Sequence, residues 1–451
     1  MVHYYLVHLT SLTREGDALG QVMAALPDDT AFPIDAAAIN LLQQVSTANG
    51  ADLDESGENP ADSLPQALRV PSGIPGEQVI VSVEEPPVRP QRRKKHRRRL
   101  PPRISLVHVV QASPWRVAAP CPLFGVCGGC QFQHIDYARQ LEIKREMVVD
   151  LLRSQGGLAE PPVLPTLPCR VPWNYRNHMR FSVNREGQVG LTARGTHRVL
   201  PLDHCPIAHE TINRALGVLT ASPQPRPQAL VRCGAQTGQV MLQPIPTPEV
   251  RAQLEAAGLE VHEESMEEEL AGARFRIRPS SFFQTNTAQA EQMAALVLRG
   301  LEVTPEMTVA DAYCGVGTFA LLLARSARQV IAIEESASAV RDALWNTREM
   351  PNVHILQGKT EALLPTLPET IDGLVLDPPR QGCQRPVLEA LVARRVPRVV
   401  YVSCDPATLA RDLAYLCQET GAYTLYEVQP LDMFPQTAHI ECVAVLQALC
   451  L

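Results

Sequence analysis

A short apolar strand at 307–310 runs into Asp311-Ala312-Tyr313-Cys314-Gly315-Val316-Gly317-Thr318 and then into an apolar helix at 319–324. Strand, glycine turn and helix in that order form the first crossover of a doubly wound parallel sheet, because neighbouring parallel strands must be joined across a face. The pattern then repeats. Strand 330–333 ends in Glu334 and strand 353–356 runs into Gln357-Gly358. Strand 373–376 ends in Asp377-Pro378-Pro379-Arg380, and apolar run 396–402 ends in Ser403-Cys404-Asp405-Pro406. Pro435-Gln436-Thr437-Ala438-His439-Ile440-Glu441 leads into a last strand at 442–446, and a helix over Thr287–Leu301 precedes the series. An α/β domain over 271–451 follows.

Open α/β sheets bind ligands beyond the carboxyl ends of their strands, so the residues there are the candidates for chemistry. Gly315 and Gly317 let the backbone approach a ligand, although the third glycine of dinucleotide binders is missing. Glu334, about 20 residues further on, is placed to accept from ribose hydroxyls; the plainer reading is a helix-capping acid. Asp377 with two prolines makes a rigid corner at a strand end. Cys404, between an apolar strand and a sharp Asp-Pro break, is a candidate nucleophile rather than a thiol packed as a small hydrophobe. Glu441 begins a late strand and can bring a carboxylate to that thiol.

The chain has 451 residues, enough for two to four domains. No apolar run reaches membrane-spanning length, and residues 1–12 lack the basic flank of a secretory signal. Twelve cysteines without such a signal point to metal or catalytic thiols in a reducing cytoplasm rather than to disulfides. A net charge of -7 excludes a wholesale polyanion binder, so any nucleic-acid contact must come from a local patch.

Residues 1–113 read as a small β-barrel: short strands around Gly16 and Gly20, an acidic insertion at 27–66, and an alternating strand over Gln78–Glu84. The basic linker 89–99 contains Arg92-Arg93-Lys94-Lys95-His96-Arg97-Arg98-Arg99, which is either a solvated charge run or a phosphate grip. The segment 114–270 reads as a smaller α+β domain. It opens with Cys121 and Cys127-Gly128-Gly129-Cys130, three thiols at metal-ligand spacing. Cys205 is the best candidate for a fourth ligand and Cys169 the runner-up; zinc and a four-iron cluster both accept four thiolates. A helix at 137–152 follows, then proline-punctuated strands through 160–270. Within them Trp173-Asn174-Tyr175-Arg176-Asn177-His178-Met179-Arg180 suits either base stacking with phosphate contacts or an exposed strand face.

Together these motifs resemble the S-adenosylmethionine-dependent RNA uridine-C5 methyltransferases. The Cys121/Cys127-Gly-Gly-Cys130 cluster, Ser281-Phe282-Phe283-Gln284-Thr285-Asn286, Asp311 to Thr318, Asp-Pro-Pro-Arg, Ser-Cys-Asp-Pro-Ala-Thr-Leu-Ala-Arg-Asp and His-Ile-Glu carry the likeness over nearly the whole chain. Its nearest branch acts on 23S ribosomal RNA and has a TRAM domain and a [4Fe-4S] cluster. The resemblance implies a C-terminal Rossmann-like methyltransferase domain, an N-terminal OB-like TRAM barrel and a central iron–sulfur domain. It implies Cys404 as nucleophile and Glu441 as base. It implies Gln284, Tyr313, Thr318, Glu334 and Asp377 around S-adenosylmethionine, and Cys121, Cys127, Cys130 and Cys205 around the cluster, with zinc the alternative metal. A cytoplasmic monomer acting on ribosomal RNA, with transfer RNA as the alternative substrate, is the expectation.

Two rivals stand beside it. An adenine amino-methylating enzyme shares Asp-Pro-Pro but leaves Cys404 unexplained. A non-catalytic RNA-binding iron–sulfur protein leaves Glu334, Asp377 and Glu441 without a role.

Overall fold

The computed structural model describes residues 2–26, 67–85, 102–221, 224 and 226–449. The insertion 27–66 and the basic run 92–99 lie outside the described residues. The chain divides into two compact units, Met1–Gly125 with Cys130–Asp136, and Val126–Gly129 with Tyr137–Leu451.

The first unit is a five-stranded antiparallel sheet, in the order β3-β2-β1-β4-β5. Its strands are β1 (Val2–Leu12), β2 (Ala18–Leu26), β3 (Ala67–Val70), β4 (Gln78–Glu84) and β5 (Arg103–Gln111). Two long strands thus replace the short ones expected near Gly16 and Gly20. Gly16, at a φ of 83°, makes the tight turn between them, and Val7, Leu9, Val70, Val79 and Val81 fill the core. Glu77 is fully buried. It accepts from the amides of Ile74 and Ser113 and from the Arg116 guanidinium, so the buried charge is fully met.

The second unit opens with the helix Tyr137–Ser154. A six-stranded sheet follows, ordered β11-β10-β9-β6-β7-β8. These strands are β6 (His178–Val183), β7 (Val189–Thr192), β8 (Val199–Pro201), β9 (Gln228–Cys233), β10 (Gln239–Gln243) and β11 (Glu260–His262). The reading of 160–270 as strands missed two helices, Glu210–Thr220 and Pro248–Ala256. Thr247 caps the second and Pro248 occupies its first turn, a start signal present in the sequence. The hairpin β12 (Met266–Leu270) and β13 (Ala273–Ile277) leads to the helix Thr287–Leu301.

The large sheet runs β16-β15-β14-β17-β18-β20-β19. The strands β14 (Thr308–Ala312), β15 (Gln329–Glu334), β16 (Val353–Gln357), β17 (Gly373–Leu376) and β18 (Arg398–Ser403) are parallel. Each lies within two residues of its expected start and end. The strand β20 (Glu441–Ala448) enters antiparallel between β18 and β19 (Tyr423–Leu431). Strands 14, 17, 18 and 20 are buried on both faces, which is why they read as continuous apolar runs. The helix Thr287–Leu301 lies tight against β18 and β20. A Cβ on its Gly300 would stand 2.9 Å from Val400 and Val445. No described helix is long and apolar enough to cross a membrane.

Candidate active site

The antiparallel pairing of β18 with β20 fixes the central geometry. Val402 faces Val443 and Ser403 faces Cys442. Continued by one step, that register sets Cys404 opposite Glu441. Both stand at the carboxyl edge of the parallel strands, with Asp377 at the end of the adjoining β17. Asp405 caps the next helix, Pro406–Leu413, by accepting from the amides of Ala407 and Thr408. The strand therefore ends at the thiol, and the helix carries the chain away from it.

The electrostatics of this corner follow from burial. The Cys404 thiol is pushed up to about 12, by burial first and then by Glu441 and Asp377, with Arg380 pulling the other way. Burial holds the Glu441 carboxyl well above the usual carboxylate range; Asp377 adds to this and Arg380 opposes it. Burial alone lifts Asp377 to about 7. The thiol is therefore protonated at rest, and an incoming positive charge is what favours the ionised form of thiol and carboxyl alike.

Among the described residues Arg380 is the one cation acting on both groups, and its loop is bolted in place. Asp412 accepts from the Tyr401 hydroxyl at 2.7 Å and from the Cys383 amide at 2.9 Å. Arg411 donates to the Gln381 carbonyl and Thr408 to the Arg380 carbonyl. The motif Thr-Leu-Ala-Arg-Asp after Cys404 thus clamps the Asp-Pro-Pro-Arg loop, a role the sequence reading did not assign.

Next to this corner lies a second set of acids. Glu334 ends β15 and accepts from the amides of Gly315 and Ser336. It is thus a half-buried support of the glycine turn. Asp311 is fully buried; one oxygen takes the Ala320 amide and the other has no partner. Burial, with Asp377 and Glu334 nearby, raises Asp311 to about 8. The sequence reading passed over Asp311, although an acid ending an apolar strand is a recognisable signal. Nothing lies within 4 Å of a Cβ built on Gly315, so the turn offers an open backbone surface. Tyr313 has a φ of 68°, and Thr318 begins the helix Thr318–Ala324. These residues fit a cationic, nucleoside-bearing cofactor: open backbone, an acid for hydroxyls and carboxyls facing the positive centre.

Gln284 lies on the loop 278–286, which several buried groups hold. Asn177 donates to the Gln284 carbonyl and the Thr287 hydroxyl, and Arg232 donates to the carbonyls of Ser281 and Arg278. The loop 432–440 before Glu441 is held as firmly. Lys144 and Asp432, both fully buried, pair at 2.6 Å, and the Tyr137 hydroxyl donates to the other Asp432 oxygen at 2.7 Å. The Lys144 ammonium also donates to Phe434, Gln140 binds Gln436, and the Tyr175 hydroxyl donates to Pro435. Tyr175 is therefore a clamp, not a surface for stacking bases. His439 packs edge-on against Phe434, and burial together with Arg380 lowers it to about 4, a neutral ring at pH 7.

The metal expectation meets a different outcome. Cys121 and Cys130 belong to the first unit, Cys127 and Cys205 to the second. Among the described residues no group of three or more His, Cys, Asp and Glu side chains is gathered to hold a metal ion. Cys205 is buried where Asn213 grips its backbone amide and carbonyl. Cys169 lies against Asn286 and the Tyr137 hydroxyl, on the catalytic side. The Gly129 amide does point at the Cys127 sulfur, at 3.4 Å.

Comparison with known proteins gives the family. A profile of the family described as tRNA (Uracil-5-)-methyltransferase matches residues 255–449. An uncharacterized RNA methyltransferase of Gloeobacter violaceus is 39% identical, over 76% of this chain and 85% of its own. One from Thermosynechococcus vestitus is 34% identical, over 87% of this chain and 96% of its own. The crystal structure of Pyrococcus abyssi tRNA (uracil-54, C5)-methyltransferase with S-adenosyl-L-homocysteine superposes with a TM-score of 0.63 at 25% identity, over 84% of this chain and 94% of that one. The chain belongs to the RNA uracil-5-methyltransferase family, enzymes that depend on S-adenosylmethionine.

Proposed function

We propose that this enzyme methylates C5 of a uridine in RNA through a transient bond between Cys404 and C6 of the ring. The observation that carries the proposal is the register that sets a thiol opposite a buried carboxyl, Cys404 against Glu441. S-adenosylmethionine supplies the methyl group as an electrophilic sulfonium. Uracil C5 is too weak a carbon nucleophile to accept it unaided. With the donor bound and Glu441 ionised, the Cys404 thiol gives its proton to solvent and the thiolate adds to C6. The electron pair of the C5–C6 double bond moves into the enolate, C5 attacks the methyl group, and S-adenosylhomocysteine leaves with the pair of the broken S–CH3 bond. Once C5 carries the methyl group, Glu441 takes the C5 proton. The pair from that C–H bond restores the double bond, the S–C6 bond breaks, and the thiolate leaves. Arg380 stabilises the anionic sulfur and the enolate. Asp377 and Asp311 face the donor's positive centre, Glu334 takes ribose hydroxyls, and Tyr313, Thr318 and Gln284 complete the wall. The base must leave its stack to reach this corner, which loop or single-stranded RNA makes inexpensive.

The spacing of Cys121, Cys127 and Cys130, with the Gly129 amide on the Cys127 sulfur, supports a resident [4Fe-4S] cluster completed by Cys205. No step of methyl transfer runs through it. Ribosomal RNA of the 23S type is the proposed substrate; the Pyrococcus abyssi relative, named for position 54 of tRNA, favours transfer RNA as the second reading.

The test is covalent trapping. Wild-type enzyme with 5-fluorouridine RNA and S-adenosylmethionine forms an adduct stable to denaturing electrophoresis, because fluorine cannot leave as a proton. Cys404→Ala forms none and makes no 5-methyluridine. Glu441→Gln slows proton removal and accumulates the adduct on ordinary RNA. Full activity of Cys404→Ala refutes the mechanism.

A further inference from the structure

Between residues 170 and 200 the chain carries six arginines, Arg170, Arg176, Arg180, Arg185, Arg194 and Arg198, against a single acid, Glu186. In a protein of net charge -7 that imbalance is local and large. Arginines elsewhere are commonly paired, as Arg251 is with Glu255, Arg274 with Glu269, Arg299 with Glu427 and Arg385 with Glu389. Among the described residues no carboxylate pairs with Arg176, Arg180 or Arg185.

The fold puts two of them on one line. Side chains two residues apart share a face of a strand. Met179 and Phe181 of β6 are buried, whereas Arg176, His178 and Arg180 share the opposite parity. His178 pairs with Arg232 of β9, and Arg180 with Leu230. Arg232, Arg176 and Arg180 all bear on the His178 ring, which burial and these three charges hold near 4. The line points at the catalytic corner. Asn177 is bonded to the Gln284 carbonyl, Arg232 to the Ser281 carbonyl, and Arg176 acts on His439, two residues before Glu441.

We propose that the face of this sheet along Arg176, His178 and Arg180 is a track for the sugar–phosphate backbone of the RNA strand beside the target uridine. The proposal rests on the methyl-transfer reading for its choice of RNA. Unpaired guanidiniums are the donors that phosphate oxygens take. The histidine between them stays neutral and adds no repulsion. The track accounts for how a protein of net negative charge holds a polyanion at its thiol: local arginines grip the flanking backbone, and the corner reads the base.

Equilibrium binding across a salt series tests it, with the full-length enzyme, a short fluorescein-labelled single-stranded RNA and fluorescence anisotropy. Each phosphate contact on single-stranded RNA adds about 0.7 to the slope of log K against log salt. Arg180→Gln should flatten the slope by about 0.7 and weaken binding about fourfold at ~0.15 M salt; Arg176→Gln with Arg180→Gln should flatten it by about 1.4. Arg299→Gln, in an ion pair away from this face, should leave the slope alone. Unchanged slopes in both variants overturn the track, and so does a loss of methylation by Arg180→Gln without a change in slope. The assay needs no turnover. Wild-type enzyme that binds RNA steeply but makes no 5-methyluridine would sink the methyl-transfer reading and leave the track standing.

Discussion

Replacing Lys144 by methionine tests how the base is held. Lys144 and Asp432 are both fully buried and 2.6 Å apart, and the ammonium also donates to the Phe434 carbonyl. Removing one partner of a buried ion pair costs about 3–5 kcal/mol, because the other charge is left without compensation. The Tyr137 hydroxyl still donates to Asp432, so the lower end, about 3 kcal/mol, is the expectation. With a urea slope of about 3 kcal/mol per molar, the midpoint should fall by about 1 M, followed by circular dichroism. Lys144→Met with Asp432→Asn removes the stranded charge and should recover part of that loss. The loop 432–440 leads directly to Glu441, so kcat should fall in the single variant while affinity for S-adenosylmethionine, which the proposed function assigns to Glu334 and Asp311 on other strands, holds. A midpoint shift under about 0.3 M, or a double variant as costly as the sum of the singles, would refute the argument.

Two further outcomes follow from the acids and the thiols. Asp377 and Asp311 sit near 7 and 8, so each is at least partly protonated at neutral pH, and burial holds Glu441 well above the usual carboxylate range. A sulfonium favours the ionised forms, so S-adenosylmethionine binding should release protons and tighten from pH 6 to 7, by up to about tenfold for one proton released. S-adenosylhomocysteine, with a neutral sulfur, should show less of this; calorimetry showing identical pH dependence for the two removes the acids from the donor's site. Protein purified without oxygen should carry iron and acid-labile sulfide and lose both in Cys127→Ser; an iron-free, colourless preparation would refute the cluster.

Much of the catalytic corner was legible because it is local. Cys404 follows an apolar run and precedes an Asp-Pro break; Glu334 ends β15, and Asp377 directly follows β17. Strand ends are where chemistry collects, and a period-based reading finds strand ends well. The supports were not legible, since they are distant in sequence. Lys144 meets Asp432 across 288 residues, and Asn177 reaches Gln284 across 107. Nothing about a lysine on an amphipathic helix announces that it will be buried. Tyr175 illustrates the same limit. Amid arginines it reads as a stacking platform, but its hydroxyl is taken by the Pro435 carbonyl. The helices Glu210–Thr220 and Pro248–Ala256 were missed through weight given to prolines, one of which begins a helix.

The inserted strand β20 also bears on how the protein is made. A ribosome that has reached residue 420 has already built the thiol and the loop that carries Arg380, but β18 still has a bare edge and nothing stands across from the sulfur. Only when residues 441–448 emerge and slide in beside it does the acid arrive. A growing chain therefore lacks the group that closes the cycle: until residues 441–448 are in place, nothing removes the C5 proton and frees a methylated base.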